Sequence, residues 1–184
     1  MLESKKQIRI AITGPESTGK TTLAIQLAEL YRGNYIPELA REYVENLSHH
    51  YTYEDVETIA RMQLQQYKAS QSGMGQLYFF DTWLIITKVW FTWVYHKTPL
   101  WLEDEILQCP IDLFLLCLPD LPWQPDPVRE NGGENRLKLL DLYRSELNHY
   151  GFNYAEVSGI GEQRLQSAIQ ALNNFNLEEK LSEN

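Results

Sequence analysis

Eight consecutive residues have types and spacing suited to holding a phosphate chain. They match the pattern G-x-x-x-x-G-K-[ST] in full and are Gly14, Pro15, Glu16, Ser17, Thr18, Gly19, Lys20 and Thr21. A loop that wraps phosphates with backbone N–H groups must lack side chains where it turns tightly, and Gly14 and Gly19 meet that need. Lys20 supplies a mobile positive charge for phosphate oxygens, and Thr21 offers its hydroxyl to Mg²⁺. The pattern predicts a nucleotide-binding phosphate loop that continues to Thr22.

A second sequence pattern would indicate whether the base of the nucleotide is guanine. A guanine-specific site would place Asn/Thr-Lys-x-Asp after a strand. The nearest string, TKVW at residues 87–90, lacks the aspartate and lies in a predicted helix. The sequence therefore favours ATP over GTP.

An acidic residue, Asp81, follows the apolar run LYFF. In phosphate-loop proteins an acid at such a strand end orients Mg²⁺ or its waters. In small-molecule kinases such an acid can also accept the proton of the attacking hydroxyl. A third interpretation is the N-cap of the following helix. We expect a functional role because phosphate-loop sites need one such acid, and the choice between base and metal ligand stays open.

The segment PELARE places Glu38 and Arg41 about one helical turn apart. Glu38 can accept hydrogen bonds from the sugar hydroxyls of an acceptor, and Arg41 lies on the same side. A surface ion pair of little energetic value is the alternative. Both interpretations stay open.

Residues 119–135, PDLPWQPDPVRENGGEN, contain four prolines and two glycines. A long loop of this kind in a compact domain is typical of a lid. Arg129 within it can stabilise the charge that develops on a transferred phosphoryl group, or it can be a solvated arginine. Asp126 pairs with Arg129 or contacts the acceptor. Trp123 closes over an aromatic ligand or docks on the core.

Four apolar side chains recur at helical spacing in the predicted helix 82–96: Trp83, Ile86, Trp90 and Trp93. Such a stripe indicates a core helix more readily than a wall for stacking bases. Trp83 alone, two residues after Asp81, is close enough to the predicted site to contact a ligand.

Strands and helices alternate along the chain. The strands are predicted at residues 7–13, 34–38, 77–81, 111–118 and 153–159, and a frayed tail at 176–184. The near-continuous apolar run in the fourth strand suits a parallel sheet covered on both faces. We therefore predict an α/β fold of the P-loop NTPase type, with a five-stranded parallel sheet, helices on both faces and a flexible lid. Ligands of such sheets bind beyond the carboxyl ends of the strands.

The composition bounds the class of protein. A chain of 184 residues suits a single domain, 1–184, with a small lid. The net charge of −9 disfavours a nucleic-acid partner. The longest apolar segment, 77–95, is interrupted by Asp81 and Lys88 and is not predicted to span a membrane. The opening MLESKKQIRI has no signal-peptide pattern and the two cysteines have no metal-ligand spacing, so we expect a cytoplasmic protein.

Several segments in order resemble one family: GPESTGKTTLA, PELARE, a strand ending in Asp81-Thr82, PDLPWQPDPVR and VSGIGEQR. They are similar to the ATP-dependent nicotinamide riboside kinase domain of the AAA-like NadR family, over nearly the whole chain. The resemblance implies a P-loop kinase fold with ATP as donor and Mg²⁺ as cofactor. It also implies nicotinamide riboside as acceptor and nicotinamide mononucleotide as product.

Matching positions imply roles for individual residues. The resemblance assigns residues 14–22 to the ATP phosphates, Asp81 to the reacting centre and Arg129 to the lid. It places residues 158–164, with Arg164, near adenine. On the acceptor side it places Glu38, Arg41, Trp123 and Asp126.

The sequence departs from the family in two respects. The usual Asp-Thr-Asp after the third strand is Asp-Thr-Trp here, with Trp83 in place of the second acid, which leaves the acceptor open. The DNA-binding and adenylyltransferase domains of full-length members are not in this sequence, so we expect phosphoryl transfer alone from it.

Two alternatives remain beside a nicotinamide riboside kinase. One is a kinase for a different nucleoside or nucleotide. The other is a nucleotide-dependent switch or binding module without an acceptor, which would need part of the apolar helix 83–95 to be exposed to a partner. The expected partner of the kinase is a small nucleoside-like molecule, and the oligomeric state stays open.

Overall fold

The computed structural model describes residues 7–73, 76–126 and 128–182. Met74 and Gly75 of a predicted loop, Pro127 of the predicted lid and the last two residues of the predicted tail lie outside the described residues. One domain over the whole chain, 1–184, stays a prediction.

Five parallel strands form one sheet in the order β2-β3-β1-β4-β5. Their bounds are β1 Ile8–Thr13, β2 Asn34–Ile36, β3 Leu77–Asp81, β4 Leu113–Cys117 and β5 Tyr154–Val157. In the register of the central strands, Ile12 of β1 lies beside Asp81 of β3 and Leu115 of β4. The end of β3 is thereby held next to the loop that follows β1. The predicted five-stranded parallel fold is confirmed.

Eight α-helices connect and follow these strands in the described part of the chain. They are α1 Lys20–Leu30, α2 Ala40–Glu45, α3 Tyr53–Gln71, α4 Leu84–Trp90, α5 Leu100–Gln108, α6 Asn135–His149, α7 Glu162–Asn174 and α8 Leu177–Ser182. A π-helical turn, Phe91–Tyr95, continues α4. Over the described part of the chain, no helix combines the length and the apolarity needed to cross a bilayer.

The carboxyl-terminal segment differs from its prediction. The sequence indicated a frayed tail, but residues 177–182 form α8, and Leu177 is 1% exposed. Leu177 packs in the core cluster that also contains Ala168 and Leu172 of α7. The frayed-tail prediction was wrong for these residues because one buried leucine anchors a short polar helix.

Alternate strand residues pack on opposite faces of the sheet, as the period of a strand requires. Ile10 and Phe79 lie in a core with α1 and α7 on one face. Ala11 and Phe80 lie in a core with α3, α4, α5 and α6 on the other face. With both faces covered, the edge formed by the strand ends is left for binding.

A capping box starts α3 and positions the segment before it. The Thr52 hydroxyl accepts a hydrogen bond from the Asp55 backbone N–H, and the Asp55 carboxylate accepts from the Thr52 backbone N–H at 2.8 Å. The hydroxyl of Tyr43 from α2 also donates to Asp55. These hydrogen bonds, led by that of the Thr52 backbone, lower the pKa of Asp55 to about 2. The segment ahead of α3 is thus tied to α2.

Candidate active site

The loop between β1 and α1 requires glycine at both ends. Gly14 has a φ of 130°, and a Cβ there would lie 2.6 Å from the backbone carbonyl oxygen of Cys117 on β4. Gly19 has a φ of 73° and forms the N-cap of α1. Residues other than glycine rarely adopt either backbone conformation. The sheet and the helix thus fix a tight loop at the positive end of the α1 dipole, which suits an anion.

Lys20 lies folded across this loop. Its ammonium Nζ donates hydrogen bonds to the backbone oxygens of Gly14 at 3.0 Å and Pro15 at 2.8 Å. The Thr18 hydroxyl donates to the same Pro15 oxygen at 2.9 Å. The positive charge is therefore held within the phosphate loop, where it can exchange these carbonyl partners for phosphate oxygens.

Asp81 is completely buried at the end of β3. Its Oδ2 accepts a hydrogen bond from the Tyr35 hydroxyl at 3.2 Å, whereas Oδ1 has no partner among the residues that the structure describes. Burial raises the pKa of Asp81, and the Thr21 hydroxyl and Lys20 ammonium partly offset that rise. The N-cap of α4 is Trp83, so Asp81 does not cap that helix. An orphaned buried carboxylate oxygen beside a threonine hydroxyl fits Mg²⁺, which prefers oxygen ligands.

A cleft of about 280 Å³ opens on the phosphate loop. One end is formed by residues 14–22. Charged and polar walls come from Glu38, Arg41, Arg129, Glu130 and Asn131, and aromatic walls from Tyr51, Trp90, Trp93 and Tyr143. A phosphate site and a second compartment with both apolar and polar walls therefore share one continuous space.

Glu38 is a half-buried carboxylate in this cleft. Burial raises the pKa of Glu38, while the nearby Lys20 charge lowers it and the Asp81 charge raises it further. A carboxyl group with a raised pKa, facing the phosphate loop, is suited to accepting a proton.

A chain of charges links α2 to the lid. Asp126 Oδ2 pairs with Arg129 Nε at 2.9 Å and with Arg41 Nη1 at 3.2 Å. Arg129 Nη1 also donates to the backbone oxygen of Gln124 at 2.7 Å. The predicted Asp126–Arg129 pair is present, and Arg41 joins it rather than Glu38. The structure therefore brings Arg41, Asp126 and Arg129 together at the cleft.

The tryptophans are placed differently from their predictions. Trp83, expected near the ligand, is 1% exposed and packs in the core with ring centroids 6.0 Å from Tyr67 and 6.1 Å from Phe114. Trp90 and Trp93, expected in the core, are partly buried against it and also line the cleft. The reason is that Trp83 precedes α4 in extended conformation and does not follow the phase of the helix. We therefore leave Trp83 out of the candidate acceptor contacts.

Trp123 lies against its own loop. A Cβ on Gly132 would lie 3.2 Å from the indole ring, and Trp123 is absent from the described lining of the cleft. Its half-buried indole therefore packs on the lid in this structure rather than over the cleft.

Arg164 is buried on the other side of the phosphate loop. Its guanidinium pairs with Asp120 and donates to the backbone oxygens of Leu118 at 3.1 Å and Gly159 at 3.0 Å. A smaller cavity of about 140 Å³ is lined by Gly19, Thr22, Leu23, Gln26, Leu121, Gly161 and Arg164. The Arg164 side chain thus forms a fixed wall beside the start of α1, which is compatible with the expected adenine side.

Sequence reasoning missed several residues of the site. Asn131 contacts Glu16 of the phosphate loop, and Tyr51 lines the cleft. Arg136, which the sequence predicts with Arg129 as an arginine that flanks or occupies the lid, is 6% exposed and donates to the Ser17 backbone oxygen at 3.1 Å. The density of tryptophans was a usable signal for the aromatic wall. An isolated asparagine in a polar loop carried no signal.

Solved structures share this fold. The NadR protein in complex with NR superposes with a TM-score of 0.76 and 21% identity over 93% of this chain and 51% of that chain. Thymidylate kinase from Ehrlichia chaffeensis gives 0.66 and 10% identity over 91% of this chain and 99% of that one. Deoxyadenosine kinase from M. mycoides with products dcmp and dcdp gives 0.65 and 14% identity over 91% and 100%. The chain spans about half the length of the NadR chain.

The sequence itself also has a family match. No curated protein matches the chain. The family described as AAA domain matches residues 9–164, which include the phosphate loop, Asp81, the described lid residues and Arg164. The chain therefore belongs to the AAA domain family.

Proposed function

We propose that the protein is an ATP-dependent phosphotransferase that transfers the γ-phosphoryl group to a hydroxyl of nicotinamide riboside. The observation that carries this proposal is the continuous cleft between the phosphate loop and the aromatic wall formed by Trp90 and Trp93. A switch that only binds a nucleotide needs no second compartment. A kinase needs one because donor and acceptor must be held in contact.

The donor side would consist of residues 14–22, with Lys20 exchanging its loop carbonyls for phosphate oxygens. Thr21 and Asp81 would hold Mg²⁺, which supplies charge neutralisation on the phosphates. Oδ1 of Asp81, which has no partner within the described ranges, supports this role over a purely structural one. Asp81 would then be a metal ligand or orient its waters.

The acceptor side would use Glu38 and Arg129. Glu38 lines the cleft and has a raised pKa, so it would accept the proton of the attacking hydroxyl. Arg129, anchored by Asp126, would stabilise the negative charge that develops on the transferred group. Arg41 would hold the same Asp126 carboxylate from α2.

The chemistry of the wall supports a flat cationic acceptor. Nicotinamide riboside carries a pyridinium ring, and Tyr51, Trp90 and Trp93, which line the cleft, offer aromatic surface to such a cation. The carboxylate of Glu130 at the same wall adds favourable charge. The NadR structures with NR, and with NAD and AMP-PNP, support the same acceptor and donor. The net charge of −9 supports a small-molecule partner rather than a nucleic acid.

Mass spectrometry of reactions with ATP, Mg²⁺ and single nucleosides tests the proposal. We expect nicotinamide riboside to gain one phosphate, with ADP formed in equal amount. Lys20→Ala serves as the inactive control. If no nucleoside in the panel changes the rate of ATP turnover, the protein is not a kinase for these nucleosides and the proposal is contradicted. If another nucleoside is phosphorylated faster, nicotinamide riboside is not the preferred acceptor.

A switch without an acceptor has less support. That function would need part of the 83–95 segment to be exposed to a partner. Trp83 and Phe91 are buried, and Trp90 and Trp93 line the cleft. Val94, near the end of the segment, is 38% exposed. Little apolar surface of this segment is therefore open to a protein partner.

A further inference from the structure

Residues 128–131, here called the strap, line the cleft and form hydrogen bonds with other residues around it. The Glu130 carboxylate accepts a hydrogen bond from the Tyr51 hydroxyl at 2.7 Å and lies 3.0 Å from His50 Nε2. Both His50 and Glu130 are largely exposed, at 73% and 45% of their side-chain areas. An exposed pair of this kind contributes little to holding a segment.

The stronger attachment of the strap is Asn131. Its backbone N–H donates to Oε2 of Glu16 at 3.0 Å, and its side-chain Nδ2 donates to Oε1 of Glu16 at 2.9 Å. Its Oδ1 accepts the indole N–H of Trp93 at 3.0 Å. Asn131 therefore joins the phosphate loop, the strap and the aromatic wall through three hydrogen bonds of good length.

The hydrogen bonds from Asn131 matter for the negative charge of Glu16. A carboxylate on a phosphate loop would repel a triphosphate unless its oxygens were engaged elsewhere. Two neutral donors of Asn131 engage both oxygens. The Glu16 side chain is thus directed to the strap. Arg129 lies two residues before Asn131, so the position of its guanidinium depends on where the strap is docked.

We propose that Asn131 is a positioning residue that locks the strap onto Glu16 and thereby holds Arg129 at the phosphates and Trp93 at the acceptor. The activity readout rests on the proposed kinase function. The hydrogen bonds themselves do not, so they are tested separately.

The decisive variants change which member of the Glu16–Asn131 pair carries the carboxylate. Asn131→Asp places a carboxylate against the Glu16 carboxylate and should release the strap. We expect kcat to fall about tenfold, because one or two hydrogen bonds of positioning are lost. The dissociation constant for AMP-PNP with Mg²⁺, measured by calorimetry, should rise about fivefold, because the Glu16 carboxylate is no longer engaged by Asn131 and Arg129 is no longer held at the phosphates.

The double variant Glu16→Gln/Asn131→Asp restores complementarity. The glutamine amide can donate to the new carboxylate, and its oxygen can still accept the backbone N–H of residue 131. We expect this variant to recover most of the lost kcat. Trp93→Phe keeps an aromatic ring but removes the N–H donor and part of the aromatic surface at the acceptor wall, so it should raise the KM for nicotinamide riboside more than it lowers kcat.

Hydrogen exchange of the residue 131 amide provides a readout that needs no acceptor. This amide donates to Glu16, so we expect slow exchange in the parent, at least tenfold faster exchange in Asn131→Asp and slow exchange again in the double variant. Thermal unfolding of each variant identifies any that fail to fold. The Glu16→Gln single variant, which keeps an acceptor oxygen, then replaces a misfolded Asn131→Asp and should show a smaller loss in the same direction.

The outcomes separate the two proposals. Parental kcat and parental amide exchange in Asn131→Asp would overturn the lock, as would a double variant no better than the single one. If the parent chain leaves nicotinamide riboside unmodified, the proposed acceptor fails, and amide exchange with and without AMP-PNP and Mg²⁺ still decides the role of Asn131.

Discussion

The hydroxyl of Tyr35 on β2 donates a 3.2 Å hydrogen bond to Oδ2 of Asp81, which lies at the end of the neighbouring strand β3. Burial, together with the Asp81 charge, raises the pKa of Tyr35 to about 12, so the phenol stays a neutral donor at physiological pH. One oxygen of the buried carboxylate is thereby fixed, and the other is left for a ligand.

Replacing Asp81 by asparagine should separate activity from stability. Burial raises the pKa of Asp81, so its ionised form costs folding free energy at neutral pH. We expect Asp81→Asn to lower kcat about 100-fold, as loss of a preorganised charge does, while the free energy of unfolding at pH 7 is unchanged or higher. Urea unfolding and steady-state kinetics measure the two quantities.

The pH dependence of that stability difference is the control. At a pH below the ordinary pKa of aspartate, the parent carboxyl is protonated in both the folded and the unfolded state. Any stability gain of Asp81→Asn should therefore disappear in acid. A loss of stability at pH 7 would show that the carboxylate serves the fold.

Glu38 should dominate the acidic limb of the pH–activity profile. Its raised pKa means that a proton must be lost before it can act as a base, so kcat/KM should rise as the pH rises through that pKa. Glu38→Gln should lower kcat about 100-fold and abolish this limb. Glu38→Asp keeps the carboxylate and should retain the limb with a smaller loss of rate. A limb that persists unchanged in Glu38→Gln would assign the base elsewhere.

Lys20→Ala should abolish turnover with a modest effect on folding. The variant removes the charge for the phosphates and also two hydrogen bonds to loop carbonyls, at a cost of about 1 kcal/mol in the free energy of unfolding. Kinetics and urea unfolding test both effects. Lys68→Ala, at a 55% exposed side chain paired with Glu105, is the matched control and should keep full activity. Collapse of the fold in Lys20→Ala would contradict a phosphate-binding role.

Gly14→Ala should destroy the phosphate loop. The new Cβ would meet the Cys117 carbonyl oxygen at 2.6 Å, in a conformation of positive φ, so we expect a loss of about 3 kcal/mol in the free energy of unfolding and no nucleotide binding. Gly151→Ala is the control, since its φ is also positive but nothing lies within 4 Å of a Cβ there. That variant should lose about 1 kcal/mol and bind normally. Normal calorimetric binding by Gly14→Ala would contradict the close packing of the loop on β4.

The sequence by itself determined the sheet and the phosphate loop. Strand periodicity, apolar runs and the glycine spacing of residues 14–21 are local properties, since the backbone conformations that they demand are set within a few residues. The sequence also predicts that the acid after β3 and the arginine in the lid lie at one edge of the sheet, because strand ends and long loops in such a sheet face the same edge.

Only the tertiary structure decided which side chains line the cleft. Trp83 and Trp90 have similar local sequence signals, yet the extended backbone at Trp83 turns it into the core and α4 carries Trp90 to the cleft. The contact between Glu16 and Asn131 spans 115 positions of the chain. Side-chain direction and long-range pairing depend on how elements pack, and no local pattern encodes them.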